Sequence, residues 1–497
     1  LQAAALLAAD CLGTGLLALP HAIKVLGNIA GLGFLVLNLP INLYAGTILS
    51  HTAGHVEEKQ RLENLSIADD EDKEQQNSRT SNGGVEAANG EEGLALLKRQ
   101  GNYSSVAPTE NQPSVINVSS VETPEKMPDD EDSTHHNHHR HHDTATFDFI
   151  GITQVLFHQR RATQIVMVIY YINIFLTLGD YILVMSHAVT ALIGEDIICL
   201  PEAGMIASTL MFCVSQIRSM ARLGRAATIV SLGALAIVIV QCLIAGNQQS
   251  DDAVAAVTYE DSPLRRIQQT QSSPVSFMRK CSAIASIGFA VGSQKLFLNI
   301  RHEMKNRNEG PKSLAIALSS YGSVYVAICV LAGPDPPSFL FDAIAPGGWN
   351  RRIAGFLLWV HVVVSYSINS QAICSSIDRI FFHRVKLWGL DHKDEVRWLI
   401  LTLMLAVSSY IVANAVPFFK DLVALIGALT SVPLTLLIPA IYHRQRLRIP
   451  LWLPTKDSIA SYSLVIFSLA FLFAGLYGSL GSIEMDWKAH PYPFACH

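Results

Sequence analysis

Gly13, Thr14 and Gly15 lie in the middle of an apolar run over residues 1–26, with Asp10 one turn before them and Pro20 a turn and a half later. Two poor helix formers around a hydroxyl, followed by a residue without a backbone donor, predict a membrane-length helix that is interrupted at its centre. Backbone groups freed at bilayer depth find no water, so such a break persists only where it lines a cavity or meets a ligand. The chemistry it offers is ion recognition. The N–H groups that open the second half-helix, near Thr14 to Leu16, carry positive partial charge and suit a carboxylate. Asp10 can help the carbonyls of residues 9–12 hold a cation, or can itself carry a coupled proton.

A second break is predicted in the run 277–300, where Gly288 and Gly292 bracket the centre and the polar residues Ser293, Gln294 and Lys295 follow. Interrupted helices at corresponding positions of two halves are the signature of inverted-repeat transporters. The first run is directed outward and this one inward, so Phe289 and Gly292 can face Gly13 to Gly15. Carbonyls freed there would suit an ammonium group, and Phe289 would border a side-chain pocket. Such an amphoteric cradle fits an α-amino acid.

Other polar residues fall inside apolar runs. His361, Ser365 and Asn369 repeat at i, i+4 and i+8, on one helix face. The two oxygens suit a cation, and the imidazole can carry a proton. Tyr170, Asn173 and Asp180 share a run from which they can reach the cavity, Tyr170 as a substrate contact. Asp378, beside Arg379, is expected to form a structural ion pair at a membrane edge.

The elements that must position these groups are membrane helices. Half the residues are apolar and 15% are charged. Besides 1–26, runs of spanning length cover 31–51, 163–191, 201–216, 228–245, 277–300, 313–332, 353–377, 396–415, 418–442 and 459–480. This predicts about eleven spans. A net charge of -5 argues against a nucleic-acid partner. The eight cysteines are scattered, most within apolar runs, and predict neither a disulfide framework nor a zinc site. The chain opens at Leu1, inside the first span, which reads as a truncated N-terminus or an uncleaved signal anchor.

Basic residues concentrate after the even-numbered spans, as in Arg160 with Arg161, Arg301 with Arg307, and Arg444 with Arg446. This predicts a cytoplasmic N-terminus and an exofacial or lumenal tail. The expected organisation is spans one and two over 1–56, an insert over 57–147, spans three to five over 148–245, and an exofacial loop over 246–276. Spans six to ten then cover 277–442, a cytoplasmic link and the last span 443–480, and the tail 481–497. The insert is too polar to bury a core and is expected to be disordered. It holds glycosylation-like sequons at Asn64, Asn102 and Asn117. Its His135, His136, His138, His139, His141 and His142 form a tract of metal-ligating type.

The chain resembles the amino acid/auxin permease family, in its proton-assisted amino acid transporter branch. The resemblance rests on the first-span stretch from Gly13 to Pro20 with Ala22, Ile23 and Lys24. It also rests on Gly288 to Gly292 with Ile300, Met304 and Lys305, on the stretch from Val416 to Leu429, and on Pro433 to Pro439. It implies an all-α integral membrane fold of eleven spans, a five-plus-five inverted repeat of the amino acid-polyamine-organocation type with helices one and six discontinuous. It further implies secondary transport of amino acids with protons or sodium, without a cofactor or enzyme site, in a plasma, vacuolar or endosomal membrane. Where relatives carry an acidic residue after a proline in the sixth span this chain has Leu298 and Asn299, and Lys295 has no family counterpart. Two other functions are weighed: a metal-ion transporter, suggested by the His tract, and an amino acid-sensing receptor of transporter fold.

Overall fold

The computed structural model describes residues 2–82, 149–157, 159–216, 220–257, 274–292, 294–378, 393–447 and 456–489, with Phe494 and Cys496. The chain divides into two units, one formed by Leu1–Gln60 with Thr146–His497 and the other by Arg61–Ala145. In the second unit the described residues are the end of one long helix.

All regular structure among the described residues is helical. In chain order the helices are α1 (Gln2–Cys11), α2 (Gly15–Leu26), α3 (Asn28–Asn82), α4 (Phe149–Phe157), α5 (Arg160–Ile193), α6 (Leu200–Val214), α7 (Met220–Val257) and α8 (Pro274–Val291). They continue with α9 (Gln294–Glu303), α10 (Gly310–Leu331), α11 (Trp349–Ile377), α12 (Lys393–Ala415), α13 (Phe419–Ile426), α14 (Ile438–Leu447) and α15 (Lys456–Ala489). Nine helical stretches among the described residues are long and apolar enough to cross a membrane. The expected first and fourth spans correspond to shorter apolar helices, Gly15–Leu26 and Leu200–Val214.

Burial runs as a bilayer demands. Large apolar side chains face outward, among them Ile229 at 70% exposure, Met404 at 66% and Phe473 at 67%. Asn173, Asp180, His361 and Asp421 are buried. An exposed apolar belt around a polar-spotted interior is stable only against lipid, so this is a multi-pass integral membrane protein. Many hydroxyls inside the bundle bond within their own helices: Thr177 donates to the Asn173 carbonyl at 2.7 Å and Ser186 to that of Ile182 at 2.7 Å. Helix α5 packs against α11, α12 and α6, while α8 packs against α2, α13 and α15.

Both predicted breaks are present. Helices α1 and α2 are separated at 12–14, and α8 and α9 at 292–293, Ser293 itself lying outside the described residues. The expected tenth span is not one regular helix. Between α13 and α14 the backbone widens into two π-helical segments, Gly427–Ser431 and Pro433–Leu437, because Pro433 has no N–H to continue the α-helical ladder.

Two expectations need correction. Helix α3 runs through Glu57 to Asn82, the first part of the insert expected to be disordered, and so includes Asn64. The segment 57–82 is rich in helix-favouring Glu, Lys, Gln and Arg and contains no Gly or Pro before the Gly83–Gly84 pair, so its polarity marks a solvated helix. The His tract, Asn102 and Asn117 lie outside the described residues. Cys199 and Cys496 form a disulfide, although no cysteine spacing announced one.

Candidate functional site at two facing helix breaks

The two breaks meet. A Cβ placed on Gly15 would stand 3.1 Å from the Ala290 Cα and 3.1 Å from Phe289 Cδ1, so the start of α2 lies directly on the end of α8. A side chain there would have to push Phe289 or the α8 backbone aside by a few tenths of an ångström, which glycine avoids. Gly288, by contrast, turns away from the break: a Cβ there would meet Phe471 of α15 at 2.6 Å, which makes it a packing glycine.

Each broken helix leaves carbonyls at its C-terminal end, and α10 supplies the donors. The Tyr325 hydroxyl donates to the Cys11 carbonyl at the end of α1 and lies 3.1 Å from the Ala290 carbonyl of α8. Tyr321, one turn earlier, donates to the Val291 carbonyl at 3.2 Å. This corrects the expectation of free carbonyls at the second break. A buried carbonyl without a donor is costly, and two tyrosines spaced i, i+4 meet that need at both breaks. A carbonyl oxygen that accepts one such bond still has a second lone pair for an ammonium group.

The donor side differs. The first backbone bonds of the new helix run from Leu16 N–H to the Gly13 carbonyl at 3.2 Å and from Leu17 N–H to that of Thr14 at 3.0 Å. The N–H groups of Gly13 to Gly15 thus precede the helix's own bonding, at the positive end of α2. The Thr14 hydroxyl turns away from the backbone and donates to Oδ2 of Asp180 on α5. Asp180 is fully buried, and its Oδ1 has no hydrogen-bond partner among the described residues. At the head of α9 the Lys295 ammonium stands 5.6 Å from the centre of the Phe289 ring.

These groups enclose a cavity of about 20 Å³, lined by Cys11, Gly13 to Gly15, Tyr181, Phe289, Ala290, Gly292 and Lys295. That is room for one water molecule. A second cavity, about 360 Å³, lies among α2, α8, α13 and α15, with His21, Arg279, Lys420 and several serines on its walls. The loop 333–348 is fastened beside it. Lys24 donates to the Pro334 carbonyl, and His21 Nδ1, 3.2 Å from the Pro336 carbonyl, carries the proton between them. On the far side of that loop Arg351 of α11 binds Glu195 at 3.1 Å and Asp342 at 3.0 Å, and donates to the Phe341 carbonyl at 2.6 Å.

Of the residues singled out in the sequence, Gly13, Thr14, Gly15, Phe289 and Gly292 come together at the small cavity. Leu16 is buried in the core beside it. Tyr170 packs at a tilt against Phe149, ring centres 6.1 Å apart, and does not line the cavity, because α4, an element too short to be read as a span, packs on α5 there. Nor do His361, Ser365 and Asn369. His361 Nδ1 is 2.9 Å from the Ser231 hydroxyl on α7, and the Asn369 amide donates back to the Ser365 carbonyl at 2.9 Å, since α11 presents that face to α7 and to its own turns. The Asp10 side chain and Ser293 lie outside the described residues. Sequence reasoning missed Tyr321 and Tyr325, whose signal was their i, i+4 spacing opposite two glycine-broken helices. Among the described residues one group could gather a metal, Cys199, Glu202 and Cys496, and its two sulfurs are spent in the disulfide.

A lipid-exposed helical bundle that holds two interrupted helices around a small polar chamber is the architecture of a polytopic membrane protein with discontinuous helices. This chain belongs to the transmembrane amino acid transporter protein family, whose profile matches residues 1–68 and 128–480 and passes over the middle of the insert. It is similar to amino acid permease 3 of Arabidopsis thaliana, 24% identical over 239 residues, with 43% of this chain and 49% of that protein covered. Amino acid transporter AVT3C of the same plant is 24% identical over 239 residues, covering 46% and 51%. For amino acid transporter AVT1E the figures are 24% over 168 residues, 32% and 31%. The chain spans about half the length, or less, of the curated relatives it matches.

Proposed function

We propose that this protein is a secondary active transporter that moves amino acids across a membrane by alternating access, coupled to protons or sodium, on a five-plus-five inverted repeat. The observation that carries the reading is the contact of Gly15 with Ala290 and Phe289, which sets the positive start of α2 against the carbonyl end of α8. A zwitterionic α-amino acid offers a carboxylate to the first and an ammonium to the second. The chamber of about 20 Å³ holds no amino acid as it stands, so binding requires Phe289 and its neighbours to move, as a carrier between its two open states would.

The proposed orientation places the N-terminus and the insert in the cytoplasm and the tail outside or in a lumen. The Cys199–Cys496 disulfide supports it, since both cysteines fall on the side assigned to the oxidising compartment. Asp10, in the last turn of α1, remains a candidate for coupling, tested by loss of gradient-driven accumulation in Asp10→Asn. The experiment that tests the function is uptake of a panel of L-amino acids into proteoliposomes under imposed proton and sodium gradients. Concentrative uptake of at least one is expected, and absence of uptake and counterflow across the panel overturns the reading.

A further inference from the structure

Asp180 and Lys295 carry opposite charges into one site from different helices. Asp180 lies on α5, fully buried, with one oxygen held by Thr14 at the first break and the other unpartnered among the described residues. Lys295 lies at the head of α9, lines the chamber and is half-buried. It forms no ion pair with a carboxylate among the described residues, and its ammonium stands over the Phe289 ring. Thr14 joins them: its hydroxyl binds Asp180, and it lines the same chamber as Lys295. At this depth an ionisable side chain needs a partner, and among the described residues neither is joined to an opposite charge by an ion pair.

The charged groups described on the helices around Asp180 have partners of their own. Helix α5 packs against α11, α12, α6, α4 and α13. On α11, His361 faces Ser231, Arg351 binds Glu195 and Asp342, and Asp378 binds Arg397 of α12. On α13, Lys420 binds Asp486 and Asp421 accepts from Ser482. The other ionisable residues in the sequences of these helices are Arg160, Arg161, Tyr170, Tyr171, Tyr181 and His187 of α5, Arg352, Tyr366 and Cys374 of α11, Lys393, Asp394, Glu395 and Tyr410 of α12, and Glu202 and Cys213 of α6.

We propose that Asp180 is the proton-coupling site of this transporter, and that it works by competing with the substrate carboxylate for the Lys295 ammonium. The proposal rests on the transport reading and names how that site is driven. With Asp180 ionised, the two charges sum to zero and the field of Lys295 is spent on Asp180. A proton taken up from the aqueous side to which the site is open neutralises Asp180 and leaves one net positive charge. That charge and the start of α2 then attract the carboxylate of the amino acid, whose ammonium meets the carbonyl edges of Cys11 and Ala290. When the site opens to the other side, departure of the substrate restores the pull of Lys295 on Asp180, which releases its proton there. One proton crosses per amino acid, and Lys295 stays charged throughout. A proton needs a single acceptor oxygen, whereas sodium needs several around it, and the ammonium in the same chamber opposes a second cation.

The test is binding of the standard radiolabelled L-amino acids to purified protein across pH, in wild type, Asp180→Asn and Lys295→Met. In wild type the affinity for the bound amino acids should fall as pH rises, by up to about tenfold per pH unit once Asp180 ionises. In Asp180→Asn the affinity should be independent of pH and equal to the low-pH wild-type value. Lys295→Met should bind at least about tenfold more weakly and without a pH slope, since the charge competed for is gone. A wild-type slope in Asp180→Asn, or wild-type affinity in Lys295→Met, overturns the proposal. Should Asp180→Asn fail to fold, Lys295→Met and Asp180→Glu read the same linkage, the latter keeping a slope. If no amino acid binds wild type, the transport reading fails and this one is judged alone by pH-difference infrared spectroscopy. A protonated-carboxyl band should titrate in wild type, vanish in Asp180→Asn and move its midpoint in Lys295→Met; a band indifferent to Lys295 overturns the pairing.

Discussion

The break between α1 and α2 and the break between α8 and α9 solve one problem in different ways. Both leave carbonyls that α10 caps through Tyr325 and Tyr321. Beyond that they diverge. The first is tied by Thr14 to a buried carboxylate on α5, whereas the second carries a bulky ring and an ammonium, Phe289 and Lys295. The difference teaches that a broken membrane helix is specified by its neighbours as much as by its glycines. Tyr325 touches both breaks, so one cannot slide along α10 without disturbing the other.

The largest expected effect comes from the contact between the breaks. Gly15→Val puts a branched side chain against Ala290 and Phe289, where even a Cβ stands at 3.1 Å, and should abolish amino acid binding. Gly292→Val meets the Thr435 methyl at 3.1 Å and the Gly288 carbonyl at 3.2 Å, away from the partner break, and should weaken binding less. Equal losses in equilibrium binding, with both proteins correctly inserted, would show that the breaks do not differ in closeness.

Next in size are the α10 caps. Tyr325→Phe removes the donor shared by the Cys11 and Ala290 carbonyls and should cost about 1–3 kcal/mol of stability. Tyr321→Phe strips one carbonyl, that of Val291, and should cost about 1 kcal/mol. Thermal unfolding in one detergent ranks the two, and a larger loss for Tyr321→Phe would refute the shared-cap account. The smallest effect belongs to the second unit: deleting residues 64–142 with a flexible linker should leave substrate affinity unchanged, because both breaks are built without it. A large loss of affinity would give the insert a part in closing the site.

Much of the site was legible because breaking a membrane helix takes unusual residues. Gly13, Thr14 and Gly15, and the polar residues after Gly292, stand out against apolar neighbours. The caps were not legible, since Tyr321 and Tyr325 in an apolar run look like ordinary packing until their neighbours are known. His361, Ser365 and Asn369 show the opposite failure. Their spacing marks a common helix face, but periodicity cannot say which helix that face meets, and α11 turns it toward α7. Asp180 and Lys295 were each visible as expensive charges, and only the fold joins them in one field. The extent of α3 was hidden because a solvated helix and an unstructured polar segment share a composition.

The Cys199–Cys496 bond, 297 residues apart in sequence, closes a covalent ring that contains α6 to α15. A protease cut anywhere inside that ring leaves both pieces on one chain until a reductant is added, whereas a cut in the insert frees the α1–α3 portion at once. Electrophoresis of nicked protein with and without reductant therefore locates each cleavage relative to the ring. The same pair of lanes reports whether the bond exists in the membrane where the protein works, since a compartment that keeps thiols reduced would release the fragments in both.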